Sequence, residues 1–307
     1  MRLDYVKKVY SDGKHNAFTD LVYWRGAYYL TFRHAGGHMS GDGEIWVLRS
    51  DDLRAWKKVF TYRDENDCRD PKFIEKENEL IITFPFCWFK DHLHDDVSLR
   101  GMKACRMNAN GQWSKPVEIY EHCYTFWRAV RIAGKYYVAA YCVKDDWFVD
   151  LLVSDNGFSW KKHGRIYTGD RANETELFLL KDSSLLAAVR REAAPRHICL
   201  AESQPPYDTW EHKDTGVLLQ GPAMGMVGEN LYLLGRHWKD DVNKRTVTFF
   251  RIDGQTLSEE ISLPSRGDMS YAKILPVDRK TSLVSYYSSH EDPTDATASI
   301  FLARVSA

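Results

Sequence analysis

The chain has no run of about 18 apolar residues, so it offers no membrane-spanning helix. Its opening, MRLDYVKKVYSDGKHNAF, has no apolar core of the roughly 7–15 residues that an export signal carries. Charge of one sign is not in excess: 42 basic residues face 43 acidic ones, for a net charge of −1, and no basic run occurs. Nucleic acid and membrane are therefore not expected as partners. None of the six cysteines (Cys68, Cys87, Cys105, Cys123, Cys142 and Cys199) forms a CxxC pair, and no HExxH or comparable ligand spacing is present. Without an export signal, reduced thiols in a cytoplasm are expected. The histidines read as polar residues at strand ends, so neither metal nor cofactor is expected. No long amphipathic helical pattern appears anywhere, which excludes α/β and all-α classes.

What is present is a repeat. A polar or aromatic cluster, an apolar strand, a turn and a second strand recur from His15, Cys68, Phe126, Asn173, Gly221 and Asp268, at spacings of 53, 58, 47, 48 and 47 residues. Turn residues such as Arg25-Gly26, Gly134-Lys135 and Gly228-Glu229-Asn230 separate the two strands. A third strand follows in most units (EIWVLRS, VDLLVS, HICLAES, VTFFRI), and a fourth in several (WKKVFTY, WKKHGRIYT). Short strands at a period of about 40–50 residues are the signature of propeller blades. The spacing predicts an all-β fold, a six-bladed β-propeller forming a single domain over residues 1–307, with five blades as the rival. The last unit, ending ASIFLARVSA, lacks a fourth strand, and RLDYVKKVY at the N-terminus can supply it and remove an open edge. The turn SDNGFSW at Ser154–Trp160, echoed by SDDLRAW at Ser50–Trp56, reads as structural: Asp bonds the turn backbone, Gly takes positive φ and Trp packs beneath.

In a propeller the inner strands open and close beside the central channel. The opening clusters then supply His15, Asn16, Asp20, Arg69, Asp70, Trp127, Arg128, Asn173, Glu174, Glu176, Asp268 and Tyr271. The ends of the second strands add Arg33, His34, Arg190, Arg191, Arg236, His237 and His290. The stretch NETELFLLKDSSLLAAVRRE has acids at the start of one strand and arginines at the end of the next. A hairpin joins such ends, so Glu174 or Glu176 is expected within about 6 Å of Arg190, the reach over which opposite charge stabilises a carboxylate. HLHDD at His92–Asp96 reads as a solvated loop.

The phrases HNAFTDL, CRDPKF, NETELFLL, AAVRRE, SQPPYDTW, GDMSYAKIL and SYYSSHE span nearly all the repeats. Through them, and through the Asp-box-like turns, the chain resembles the sialidase-like superfamily, and more closely a bacterial group of short Asp-box propellers described as exo-α-sialidase-like glycosyl hydrolases. The resemblance implies an exo-acting glycoside hydrolase whose partner is a glycan. It implies a Tyr nucleophile activated by Glu, an Asp acid/base and three arginines around a substrate carboxylate. A neutral phenol suits an anionic sugar because it is not repelled as a carboxylate would be. By local motif, GDGEIWVLRSDD puts Asp42 in the acid/base role, DMSY puts Tyr271 in the nucleophile role, and NETELFLL offers Glu174 or Glu176. Arg190 and Arg236 take arginine positions. Where sialidases carry an Arg-Ile-Pro motif the chain has HNAF, so His15 stands where an arginine is expected, and Arg33, Arg69 or Arg128 from neighbouring blades could substitute. Other candidate substrate contacts are Asp70, Trp127, His237 and Asp268. A non-catalytic carbohydrate-binding propeller and a polysaccharide lyase using His15, His34, His237 and Tyr271 remain open beside the hydrolase. The sugar, linkage and oligomeric state are not legible.

Overall fold

The computed structural model describes residues 1–87, 100–144, 146–239 and 244–307; HLHDD lies outside them. Among the described residues every regular element is a strand, and every strand pairing with a printed register is antiparallel. The strands form five hydrogen-bonded sheets of four, four, five, five and seven strands. The chain divides into two compact units, one of residues 1–71 with 217–307 and the other of residues 72–216.

The first unit contains three meanders. One runs His15–Trp24, Ala27–Ala35, Glu44–Ser50 and Lys57–Tyr62. A second runs from the latter part of Glu211–Val227 through Asn230–Trp238 and Arg245–Asp253 to Thr256–Leu263. The third comprises Met269–Pro276, Thr281–Ser288 and Ser299–Ser306, and the N-terminal strand Arg2–Tyr10 pairs with its last member, Arg2 opposite Ser306 and Lys7 opposite Leu302. The N-terminal residues therefore supply the missing fourth strand. In the second unit, Lys72–Glu75, Glu79–Cys87, Arg100–Asn108 and Val117–Tyr120 form one meander. Lys135–Cys142, Phe148–Ser154 and Lys161–Thr168 form the next, with Tyr124–Phe126 and Val130–Ile132 both paired to Lys135–Cys142. Ala172–Leu179, Leu185–Arg191 and His197–Ser203 lead to the start of Glu211–Val227.

Central strands are nearly continuous apolar runs because both faces are covered. Leu185–Val189 is buried throughout, as are Leu233, Leu234, Phe249 and Phe250. Turn chemistry follows from strand twist. Trp24 pairs with Ala27 and Ile132 with Lys135, leaving two-residue loops whose central residues all have positive φ: Arg25 48°, Gly26 84°, Ala133 48° and Gly134 85°. This is the type I′ geometry that matches right-handed twist. The second turn is thus Ala133-Gly134 rather than Gly134-Lys135, since Lys135 is already paired. The Ser154–Trp160 turn also differs in detail from expectation. Asn156, not Asp155, accepts the amides of Phe158 and Ser159 at 2.8 Å each, while Ser154 accepts that of Gly157 at 2.8 Å. Asp52 does the same for Arg54 and Ala55. The capping acceptor is the second residue after Ser, where a short side chain reaches the amides two and three residues on.

The inner strand of each repeat is interrupted at one equivalent point. Register shifts fall between Ala17 and Asp20, Ala172 and Thr175, Gln220 and Ala223, and Ser270 and Lys273. In the remaining two repeats the strand stops, after Cys68 to resume at Lys72, and after Phe126 to resume at Val130. Phe18, Asp70, Gly221 and Tyr271 take positive φ there, at 63°, 43°, 60° and 47°. Bulges bend a strand and re-aim its side chains. Arg69, Asp70, Trp127, Arg128, Glu174 and Tyr271 all lie in or beside these interruptions.

The expectation of six reduced cysteines is corrected at one pair. Tyr124 lies opposite Cys142 in the sheet, which brings the preceding Cys123 beside it. The two form a disulfide with Cα atoms 5.4 Å apart. Cys68, Cys87, Cys105 and Cys199 are buried and lie outside this disulfide, and burial pushes the Cys199 thiol up to about 11.

Candidate functional site

In the first unit the candidate residues gather around Asp268, which immediately precedes its strand. One carboxylate oxygen accepts from His15 Nε2 at 2.7 Å and His38 Nδ1 at 2.6 Å; the other accepts from Tyr287 Oη at 2.8 Å and Arg236 Nη2 at 3.1 Å. Burial alone would raise this carboxyl. The bonds from His15 and His38 and the charge of Arg236 outweigh it and hold Asp268 well below the usual carboxylate range. Tyr287 is fully buried beside that charge, its phenol is pushed well above its ordinary value, and it acts as a donor. His15 is only 3% exposed. Burial lowers its pKa even against the pull of Asp268, and its Nδ1 has no hydrogen-bond partner among the described residues.

Phe18, turned by its positive φ, is the hub of the cluster. Its ring centre lies 4.8 Å from Tyr271, 5.4 Å from His38, 5.5 Å from Tyr287 and 6.1 Å from His15. The Arg69 guanidinium sits 5.0 Å from the same ring centre, a cation–π distance. Arg69 is in turn held by Asp67 at 3.5 Å and Asp70 at 3.4 Å. The Tyr271 carbonyl accepts from Thr19 at 2.9 Å, which ties the two bulged strands together beside the hub.

The His38 loop, residues 36–43, joins Ala27–Ala35 to Glu44–Ser50, and Arg33 builds it. Arg33 is fully buried, bonded to Asp67 at 2.8 Å, to the Gly37 carbonyl at 2.9 Å and to the Ser40 carbonyl at 2.7 Å. Its guanidinium is thus committed to loop and carboxylate, which makes it a positioning residue. Asp42 closes the same loop, both oxygens lying 3.1 Å from the Gly36 amide. Partial burial pushes the Asp42 carboxyl up, but the Ser40 hydroxyl and the Gly36 amide prevail and hold it below its ordinary value. Gly43 has no room for a side chain: a Cβ there would stand 2.0 Å from Asp67 Oδ1 and 2.5 Å from Arg33 Nε.

The remaining histidines of this unit are engaged elsewhere. His237 Nδ1 lies 3.0 Å from the Leu218 carbonyl, and its ring stands edge-on to Phe250. His34 bonds Asp12 at 2.8 Å and stacks on Trp46. His290 packs on Phe301. The ring nitrogens of His15 and His38 and an oxygen of Asp268 lie within 4.8 Å of one another, the spread a metal ion would need. The donor set does not favour one. Asp268 already carries Arg236 on its second oxygen, and His15 Nδ1 lacks the outer acceptor that fixes a ligating imidazole.

A second constellation lies in the other unit. Arg190 reaches Glu174 at 2.5 Å and also bonds Glu192. Arg128 Nη1 lies 2.7 and 2.6 Å from the two oxygens of Glu176, with both side chains buried. Lys72, itself buried, places its ammonium 4.9 Å from the ring centre of Trp127. Arg191 is occupied by Asp170, Asp214 and the His197 carbonyl. The expected meeting of an acid with Arg190 is present, and the acid is Glu174.

Sequence reasoning passed over His38, Phe18 and Tyr287 as site residues. A histidine inside a glycine-rich loop, HAGGHMSGDGE, was the available signal for the first. Nothing local marks the other two, whose places depend on the bulges.

No protein-family model matches the chain, and no curated protein does. Solved structures do. A protein of unknown function from Dyadobacter fermentans superposes with a TM-score of 0.83 at 16% identity, over 99% of this chain and 98% of its own. A Hadza microbial sialidase gives 0.73 at 14% identity, over 94% and 65%. Trypanosoma rangeli sialidase in complex with sialic acid gives 0.70 at 16% identity, over 99% and 57%. The chain spans a little over half to two thirds of the length of those sialidases. The likeness establishes the fold: the chain has a sialidase-like fold, with a propeller-like arrangement of antiparallel sheets.

Proposed function

We propose that the chain is a glycoside hydrolase of sialidase-like type, exo-acting on a terminal sugar, with acidic sugars the first to try. We also infer six blades, one to each sequence repeat. The observation that carries the hydrolase reading is the Phe18 hub, where a partly exposed Tyr271, the Arg69 guanidinium and the Asp268-anchored histidines converge on one ring. A phenol among cations suits an anionic substrate: the cations attract a carboxylate, and the neutral nucleophile does not repel it. Sialidases sharing the fold bind sialic acid. In this chain His15 stands in place of one expected arginine and is buried, so Arg69 and Arg236 are the cations on which carboxylate recognition in this unit rests. Each is held by acidic or carbonyl partners, which fixes its geometry before a ligand arrives.

One observation favours a second reading. Two imidazoles on one carboxylate, beside tyrosines, would also serve a lyase that abstracts a proton next to a uronate. Incubation with aryl glycosides of acidic and neutral sugars and with uronate-containing oligosaccharides separates the readings by product. A released reducing sugar supports the hydrolase, an unsaturated uronate supports the lyase, and binding without product overturns both in favour of a carbohydrate-binding module.

A further inference from the structure

Asp42, the residue that the sialidase resemblance makes the acid/base, is poorly suited to give a proton. Both its oxygens face the Gly36 amide, and its carboxyl is held below the ordinary value. A general acid must be protonated near the operating pH. The neighbouring His38 has the opposite properties. Its Nδ1 is anchored 2.6 Å from Asp268, its side chain is 40% exposed, and it stands on the same Phe18 ring as Tyr271. Asp268 is kept ionised by four donors, so it fixes His38 in the Nδ1–H form. Nε2 is then left for a lone pair or a second proton.

We propose that His38, oriented by Asp268, is the proton-transfer group of this site, in place of Asp42. The inference rests on the hydrolase reading above. The protonated imidazole gives its Nε2 proton to the glycosidic oxygen as that oxygen's bond to the anomeric carbon breaks, the oxygen keeps the bonding pair, and Tyr271 Oη bonds to the carbon while its own proton passes to solvent. Neutral Nε2 then takes a proton from the water whose oxygen displaces Tyr271 Oη from the same carbon, and the tyrosine oxygen leaves with the bonding pair and regains a proton from solvent. The imidazole returns to its starting form, and the net reaction is hydrolysis. The charged and titratable groups facing His38 are Asp268, His15 on the adjoining strand, Arg236 and Tyr287 through Asp268, Asp42 in its own loop, and Arg33 on the preceding strand. Arg33 and the loop carbonyls fix the backbone of that loop, so the orientation of His38 is set by its neighbours.

The test compares the wild-type protein with His38→Gln and Asp268→Asn on paired aryl glycosides, one with a good and one with a poor leaving group. His38→Gln should lower kcat at least 100-fold on the poor leaving group and much less on the good one, with KM little changed. The alkaline limb of the kcat/KM profile should vanish with it. His38 is on a partly exposed loop, so circular dichroism should show an intact fold. A His38→Gln enzyme within threefold of wild type on the poor leaving group overturns the proposal, as does an alkaline limb that survives the substitution. A second readout needs no substrate. In nitrogen-15 spectra of the imidazoles the neutral form of His38 should carry its proton on Nδ1, with that preference weakened in Asp268→Asn. A neutral ring that carries its proton on Nε2, or a preference unchanged in Asp268→Asn, overturns the proposal even in an active enzyme. If no glycoside in the panel is hydrolysed, the hydrolase reading fails, and the ring spectra alone then decide whether the dyad is real.

Discussion

Glu174 and Arg190 meet at 2.5 Å across a hairpin, from the start of one strand to the end of its partner. The pairing of Ala172 with Arg191 brings these ends together, and a register shift before Thr175 accompanies the approach of Glu174 to the arginine. The pair is largely buried, at 9% and 13% side-chain exposure. Removing Arg190 should therefore destabilise strongly, by about 3 kcal/mol, because the buried Glu174 carboxylate loses its facing charge, whereas Glu174→Gln should cost less because Arg190 keeps Glu192. Urea unfolding of Glu174→Gln, Arg190→Met and the double variant checks this. The double variant should recover part of the loss. Single variants within about 0.5 kcal/mol of wild type, the range of an ordinary surface change, would show that the pair carries no such role.

The all-β, propeller-like arrangement was readable because its signals are local and repeated: alternating strands, turn glycines and spacings of 47 to 58 residues recur along the chain. The meeting of Arg190 with an acid was readable for the same reason, since hairpin register is local. Which acid was not, because the bulge decides between Glu174 and Glu176, and Glu176 is taken by Arg128 from the break between Tyr124–Phe126 and Val130–Ile132. Arg33 illustrates the reverse failure. It sits at a strand end as a substrate-binding arginine would, yet its donors are spent on Asp67, Gly37 and Ser40. Asp268 draws its donors from four places between residues 15 and 287, a convergence no window of sequence contains. The Cys123–Cys142 bond depends on a strand pairing across 19 positions that spacing alone does not reveal.

Acid should destabilise the protein in two steps. His15 is buried and its pKa lies below the ordinary value, whereas in the unfolded chain it takes up a proton near pH 6.5. The unfolded state therefore binds more protons below that pH, and stability falls as pH falls. His290, lowered by its own burial, adds to the same trend. Asp268 acts lower down. Its folded carboxyl is held well below the unfolded value of about 3.9, so the stability it contributes is present above that pH and lost beneath it. Urea midpoints measured from pH 8 to 5 should decline for the wild type and decline less for His15→Gln, which cannot titrate. A flat profile, or an equal slope in the variant, would remove His15 as the cause.

The disulfide should be visible chemically. Under denaturing, non-reducing conditions four thiols should react with a maleimide, and six after reduction. In the loop-entropy account, closing a loop of this size contributes about 3 kcal/mol. Cys123→Ser should therefore lower the unfolding midpoint, and a reductant should lower the wild type toward the variant while leaving the variant unchanged. Six reactive thiols without reduction would mean that the two sulfurs are neighbours but unbonded, in keeping with a reducing compartment.

Tyr271 offers the direct test of the hydrolase chemistry. In the hydrolase reading its hydroxyl bonds to the anomeric carbon, while its ring packs on Phe18 at 4.8 Å and its backbone is fixed by Thr19. Tyr271→Phe keeps the ring and those contacts and deletes only the nucleophile. Loss of a group that acts in the transition state lowers kcat and kcat/KM together and leaves ground-state binding nearly unchanged. The variant should thus bind an acidic sugar within about threefold of wild type by calorimetry, and its kcat should fall by at least 100-fold, roughly 2.7 kcal/mol of barrier. Mass spectrometry of the wild type, quenched with a slow fluorinated glycoside, should find the sugar on the peptide that carries Tyr271 and find none in Tyr271→Phe. A variant with unimpaired kcat, or label on another side chain, would move the nucleophile elsewhere. With the phenol excused, the histidines on Asp268 would remain to activate water directly, and the anomeric configuration of the product would then invert.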